Sequence, residues 1–266
     1  MAVNTEKNSY TILFAIAMVL VVGSLLAFTA SSLSERIAEN KRIEKQQNIL
    51  YAMGINGNEG TGDITFVSKE LVEVKNEDGS DEKKPKASVE FFKYITKQLV
   101  VDSNGAFTED NEAYLIDIKK EQAAAKNGGT RRLPLFIGEK DGQTFYITPI
   151  RGKGLWDAIW GYVALDKNMV VQGAFFDHKG ETPGLGANIK QRYFMDDFTG
   201  EKLFADNGSF KGITVAKGNN DPKNLTKDDN EVDALAGATI TGDGVSAMIK
   251  KDLKLYLPYF NKLKGN

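Results

Sequence analysis

The chain contains no cysteine, which removes disulfides, thiolate metal centres and cysteine nucleophiles together, whatever the compartment. Histidine is almost as scarce. His178 stands alone, so most zinc sites and His-dependent triads lack their parts. With so few side chains titrating near pH 7, a borrowed cofactor is the natural source of chemistry. Charge of one sign is lacking too: Lys and Arg number 34 against 36 Asp and Glu, which gives no reason to expect nucleic acid. No GxGxxG follows a strand-like run, so a Rossmann unit has no support, and no internal repeat is visible. The 266 residues suffice for one sizeable domain, or two.

One stretch lacks charge altogether. Between Lys7 and Glu35 no residue is ionisable as an acid or base of the Asp, Glu, Lys or Arg kind, and the centre reads YTILFAIAMVLVVGSLLAFTA. A helix needs about 20 apolar residues to cross a hydrocarbon core of roughly 30 Å. The apolar part exceeds the usual 7 to 15 residues of a secretory signal, so an uncleaved membrane anchor is expected over residues 1–34. Lys7 precedes it, and Arg36, Lys41, Arg42 and Lys45 follow it. Counted alone, these charges lean toward an outside N-terminus. LSERIAENKRIEKQQNILYAMG then keeps a helix-forming composition. A stalk over 35–55 is expected, with Leu33, Ile37, Leu50 and Met53 buried and Gly54 as its stop.

Residues 56–88 turn to Gly, acids and lysines around a short strand, ITFVS, and KNEDGSDEKKPK reads as a solvated hairpin tip or loop. EAYLIDIKKEQAAAK carries a helical tail ending at Asn127 and Gly128, and TFYITPI, IWGYVALD and NMVVQGAFFDH are strand-like. The DKN link between the last two predicts a hairpin. ANIKQRYFMDDF spaces Ile189, Tyr193 and Phe194 as a helix face, KGITVAK reads as a strand, and VSAMIKKDLKLYL places Val245, Met248, Ile249, Leu253 and Tyr256 at helical spacing before Pro258. Hairpins with helices between and after them predict an α+β fold, a mixed and mainly antiparallel sheet with helices behind a single membrane helix.

EVDALAGATITGDGVSAM opens that last helix. Thr241 or Asp243 could cap it, and small residues before a helix are ordinary turn chemistry. A helix N-terminus also favours a phosphate, and the Thr239 hydroxyl stands just upstream with only Gly237 and Ala238 crowding it. DSNGAF, residues 102–107, offers the same Gly-Ala pair with Phe107 in place of the hydroxyl residue and reads as a plain turn.

DALAGAT, from Asp233 to Thr239, resembles the flavinylation motif of the FMN-binding domain family: an Asp, two free positions, Ser or Thr, then Gly, Ala and a final Ser or Thr. In that family the last hydroxyl forms a phosphoester with FMN, installed by a flavin transferase. Asp233, Gly237, Ala238 and Thr239 match, whereas Ala236 stands where the family has a hydroxyl. GETPGLGANI (180–189) and RGKGLWDAIWGYVAL (151–165) resemble two further family segments. The resemblance implies covalent FMN on Thr239, Leu155, Trp156 and Leu185 packing around its ring, and polar contacts from Glu181 and Thr182. It implies no catalytic side chain and no metal.

With its anchor and NILYAMGI stalk, the chain looks closest to the NqrC branch, the FMN-carrying C subunits of the Na(+)-translocating NADH:quinone oxidoreductases. The Rnf-type G subunit, with the same cofactor, is the nearest alternative, but it is typically shorter than this chain with its 56–130 region. An anchored, non-enzymatic ligand- or partner-binding domain is a reading of another class. The resemblance implies an FMN-binding domain over 131–266 behind a family-specific extension at 56–130. It also implies electron relay to quinone coupled to sodium transport, with the other membrane subunits, a flavin transferase and the lipid bilayer as partners. The soluble part would face the periplasm of a bacterial inner membrane, against the bare charge count.

Overall fold

The computed structural model describes residues 7–55, 70–76 and 79–264, so the strand expected at ITFVS lies outside the described residues. The chain divides into two compact units, Met1–Arg42 and Ile43–Asn266.

The first unit carries α1 (Asn8–Ser32), 25 residues with a mean hydropathy of 2.7 over an 18-residue window. At 1.5 Å per residue it extends about 37 Å, long and apolar enough to cross a membrane. Two of its hydroxyls are satisfied internally. Thr29 Oγ1 donates to the Leu25 carbonyl at 2.8 Å and Ser32 Oγ to Thr29 at 3.0 Å, as a helix without nearby water requires.

Helix α2 (Ser34–Ala52) departs from the expected stripe. Leu33 and Ile37 are exposed, while Ile43 and every residue from Gln46 to Met53 are buried. Burial starts where the second unit starts and then surrounds the helix, so its sequence shows no single apolar face. Gly54 ends it as expected: at φ +68° it lets Ile55 N–H reach Leu50 O and Gly54 N–H reach Tyr51 O, a Schellman closure that only a left-handed residue permits.

In the second unit, β1 (Leu71–Lys75) and β2 (Asp81–Pro85) form an exposed antiparallel hairpin, the solvated tip that its lysines and acids predict. Helix α3 (Lys86–Tyr94) leads into β3 (Ile95–Val101). The DSNGAF turn, with Gly105 at φ +74°, returns the chain as β4 (Phe107–Glu109). Helix α4 (Ile118–Lys126) is capped by the Asp117 carboxylate and ends at Asn127. Strands β5 (Leu133–Lys140), β6 (Gln143–Lys153), β7 (Ala158–Leu165) and β8 (Val171–His178) complete a six-stranded sheet in the order β4-β3-β5-β6-β7-β8, antiparallel at every pair. Residues 95–101 and 107–109 thus belong to the same sheet as the strands of the expected FMN-binding part. The DKN hairpin is present, with Met169 in the left-handed region at φ 62°.

ANIKQRYFMDDF does not form one helix. It breaks at Gln191, which is extended, into a 3-10 turn (Gly186–Lys190) and the short α5 (Arg192–Asp196). Ile189 and Phe194 are buried, but Tyr193 is 59% exposed. The break rotates the face: Phe194, tilted, and Phe198, edge-on, pack against Phe176 of β8 at 5.9 and 5.0 Å between ring centres. These aromatic contacts hold α5 and the turn after it against the sheet. KGITVAK contributes only β9 (Thr214–Val215), paired in parallel with β10 (Glu231–Val232).

Helix α6 (Thr239–Leu253) lies across β6 and buries Val245, Met248, Ile249 and Leu253, with Tyr256 buried just beyond it. The approach is close enough to require glycine on both sides. A Cβ on Gly244 would lie 2.3 Å from Lys153 O, and one on Gly152 would lie 2.8 Å from Met248 Cβ. The far end of α6 is tied by Asp252, fully buried, which accepts from Arg131 Nη1 at 2.9 Å and from the Arg151 backbone N–H at 2.8 Å. Pro258 follows as the pattern predicts, but it sits in the first turn of α7 (Leu257–Lys264) rather than ending the structure, a position where its missing N–H costs nothing.

Candidate functional site

The close crossing of α6 over β6 brings three segments together: the β6–β7 loop at 154–157, the loop after β8 at 180–186, and the chain from Gly237 into α6. Between them lies a cleft of ≈ 240 Å³ lined by Leu155, Glu181, Thr182, Leu185, Gly186 and residues 237–241.

Thr239 is exposed and is the first residue of α6. Gly237 at φ +67° turns the chain into the helix, and a Cβ there would meet Leu185 Cδ2 at 2.7 Å. The backbone angle therefore calls for glycine, while the half-exposed Leu185 side chain has room to give way. Ala238 is the N-cap and supplies no side-chain acceptor. The first intrahelical bond runs from Gly242 N–H to Ala238 O, so the earlier N–H groups point out of the helix end beside the Thr239 hydroxyl. No acidic side chain occupies that first turn, which keeps the end attractive to an anion.

The expected capping role of Thr241 and Asp243 is not what the structure holds. The helix starts two residues before Thr241, and the Thr241 hydroxyl, buried, donates to Glu181 Oε2 at 2.6 Å. A hydroxyl caps by accepting from a backbone N–H; here it donates instead, to a charged acceptor.

Glu181, to which the resemblance gives a polar contact with the flavin, is engaged by the protein itself. It is 4% exposed, and its oxygens also accept from the backbone N–H of Trp156 at 3.0 Å and of Leu155 at 3.3 Å. Burial pushes its carboxyl upward, but the hydrogen bonds from Thr241 and from the 155–157 backbone outweigh it and hold the group below the usual range. The Glu181 N–H donates to His178 Nδ1 at 3.1 Å. Burial lowers the His178 pKa as well, in keeping with a neutral ring that accepts at Nδ1.

Both groups bind protons less readily in the closed cleft than in an opened one. The closed form therefore loses stability as pH falls below the ordinary histidine value of 6.5, and again below the ordinary glutamate value of 4.5. Amide exchange at Leu155, Trp156 and Glu181, corrected for intrinsic rates, is expected to show less protection at pH 5 than at pH 7. Equal protection would contradict the assignment.

Leu155, Leu185 and Ile240 present half-exposed apolar surface around the cleft. Trp156, 66% exposed, is held at its edge by an Nε1–H bond to Thr182 Oγ1 at 3.2 Å. The Thr182–Leu185 turn, with Gly184 at φ +76° and Leu185 N–H bonded to Thr182 O at 3.1 Å, is the type II geometry that Pro183-Gly184 favours. Asp233 does not line the cleft. Its Oδ1 accepts from the Asp221 N–H at 3.2 Å, so it anchors the loop that leads to Gly237. Of the residues the resemblance assigns to the cofactor, the fold thus gathers Leu155, Glu181, Thr182, Leu185, Gly237, Ala238 and Thr239 on one cleft. Trp156 stands beside them and Asp233 apart. Gly186, Ile240 and Thr241 also line the cleft and were not assigned from sequence.

The FMN-binding domain family matches residues 154–254, an interval that contains every residue lining the cleft. The C subunit of the Na(+)-translocating NADH-quinone reductase of Pseudomonas aeruginosa is 29% identical over 263 residues, covering 92% of this chain and 91% of its own. The crystal structure of the corresponding C subunit from Parabacteroides distasonis superposes with a TM-score of 0.66 at 30% identity, covering 86% of this chain and 96% of that one. The chain belongs to the NqrC family, the C subunits of Na(+)-translocating NADH-quinone reductases. Shewanella oneidensis NqrC shares the fold at a TM-score of 0.62 and 24% identity. Membership of the NqrC family accounts for the α+β architecture behind one apolar N-terminal helix, and it favours the NqrC resemblance over the Rnf-type one.

Proposed function

We propose that the chain carries FMN as a phosphoester on Thr239 Oγ and relays electrons within a Na(+)-translocating NADH-quinone reductase. The observation that carries this reading is the exposed Thr239 hydroxyl at an uncapped helix N-terminus, on a cleft flanked by apolar side chains. Phosphate needs donors and a positive end of a dipole; a flavin ring needs broad apolar neighbours. The donors are the first N–H groups of α6, and the neighbours are Leu155, Trp156, Leu185 and Ile240. When bound, FMN supplies the electron-accepting and electron-donating chemistry that this cysteine-free chain with one histidine lacks. The chain's own part is to hold and orient it.

Attachment needs an activated donor. A flavin dinucleotide fits: the Thr239 Oγ–P bond forms as the phosphoanhydride breaks, the nucleoside monophosphate leaves with the electron pair, and the hydroxyl proton passes to the medium. A flavin transferase performs this step once, during maturation. We place α1 in the lipid bilayer of a bacterial inner membrane, the second unit on the periplasmic side where that transferase acts, and the other reductase subunits as partners. Coexpression with a flavin transferase, followed by a denaturing gel viewed under ultraviolet light, is expected to give a fluorescent band at the chain's mass that copurifies with the reductase subunits. A dark band would sink the proposal.

A further inference from the structure

We propose that Glu181 is the positioning residue of the cleft: its carboxylate clamps the 154–157 loop and the first turn of α6 together from inside. The role rests on the flavin reading above and adds to it a residue that sets the orientation of Thr239 without touching the ligand. Thr241 is two residues from Thr239, so its 2.6 Å bond to Glu181 Oε2 fixes the turn that presents the acceptor hydroxyl. Trp156 N–H and Leu155 N–H, bonded to the same carboxylate, fix the opposite wall.

Space around the carboxylate is reserved by two glycines. A Cβ on Gly154 would lie 2.6 Å from Glu181 Oε1, and one on Gly186 would lie 2.5 Å from both Glu181 Oε2 and Thr241 Oγ1. The rival role, direct contact with the flavin phosphate, is disfavoured by charge, because a carboxylate repels a phosphate. It is also disfavoured by occupancy, because both oxygens already have protein donors. The clamp predicts that chemistry at Thr239 depends on the Thr241 hydroxyl, although Thr241 is buried and is not the acceptor. Held geometry of this kind changes rates at fixed affinity.

The test follows flavin uptake by the full-length chain, purified without flavin and incubated with a flavin transferase and flavin adenine dinucleotide. Incorporation is timed by intact mass across chain concentrations. E181Q and T241V are expected to slow incorporation at saturating chain by ~10-fold or more while half-saturation holds, and T241S, which keeps the hydroxyl, to restore the rate within ~2-fold. The flavin that does attach to E181Q should show weaker visible circular dichroism, a signature of lost orientation. If E181Q does not fold, T241V carries the test, since the carboxylate keeps its backbone donors there. Wild-type rates and dichroism in E181Q and T241V would overturn the clamp. So would a loss shared by T241S, or slowing that tracks melting temperature across all variants. A wild-type chain that takes up no FMN overturns the flavin reading itself, and this role with it.

Discussion

Thr239→Val is expected to abolish covalent FMN completely and to leave the fold intact. Valine keeps the branched shape of threonine and removes only the nucleophilic oxygen, and position 239 is exposed at the start of α6. Surface changes away from caps and cores usually cost within about 0.5 kcal/mol. Ala238, not Thr239, is the N-cap of this helix, so no cap is lost. The variant should therefore melt with the wild type and carry no FMN mass. Thr239→Ser, which retains a hydroxyl, should still accept flavin. A Val variant that retains covalent flavin would move the acceptor elsewhere. Thr182 is then the exposed hydroxyl on the same cleft, whereas Thr241 is buried and engaged with Glu181.

Asp252→Ala is expected to cause the largest loss of stability. Its carboxylate, at 0% exposure, joins α4, the segment before β5, β6 and α6: it takes Arg131 Nη1 at 2.9 Å, the Arg151 N–H at 2.8 Å and Gln122 Nε2 at 3.3 Å. Arg131 is itself only 12% exposed in its side chain. Removing the acid leaves a buried guanidinium without its counter-charge, which costs about 3 to 5 kcal/mol. Urea unfolding should show the unfolding free energy falling by that amount, through a lower midpoint at unchanged slope. Asp252→Asn, which keeps an acceptor for the Arg151 N–H, should lose less. A change under about 1 kcal/mol for the Ala variant would mean that the pair contributes little beyond shape.

The membrane helix, the central hairpins and the buried face of α6 were all legible in the sequence, because each is a local pattern. Uniform apolarity over α1, the DKN link, and the spacing of Val245, Met248, Ile249 and Leu253 need no knowledge of partners. The failures share a cause. Leu33 and Ile37 fit a helical stripe but lie before the globular unit begins, and Tyr193 fits a face that the extended Gln191 rotates away.

The site was legible in part for the same reason. Thr239, Gly237 and Ala238 form a contiguous motif, and the Thr182–Leu185 turn announces itself through Pro183-Gly184. Thr241 and Glu181 are 60 positions apart. Nothing in the composition of either segment signals that a buried carboxylate would claim a helix-start hydroxyl in place of a cap. Asp233 belongs to the motif yet anchors the Asp221 turn, a supporting role that contiguity in sequence cannot separate from contact.

The central claim is that one oxygen, Thr239 Oγ, holds the flavin. Proteolysis of the chain matured with a flavin transferase, followed by fragment-ion mass analysis of the peptide spanning Asp233 to Lys250, tests it most directly. An FMN phosphoester localised to Thr239 is the predicted result. The same mass on Thr241 or on another peptide, or its absence throughout, would contradict it.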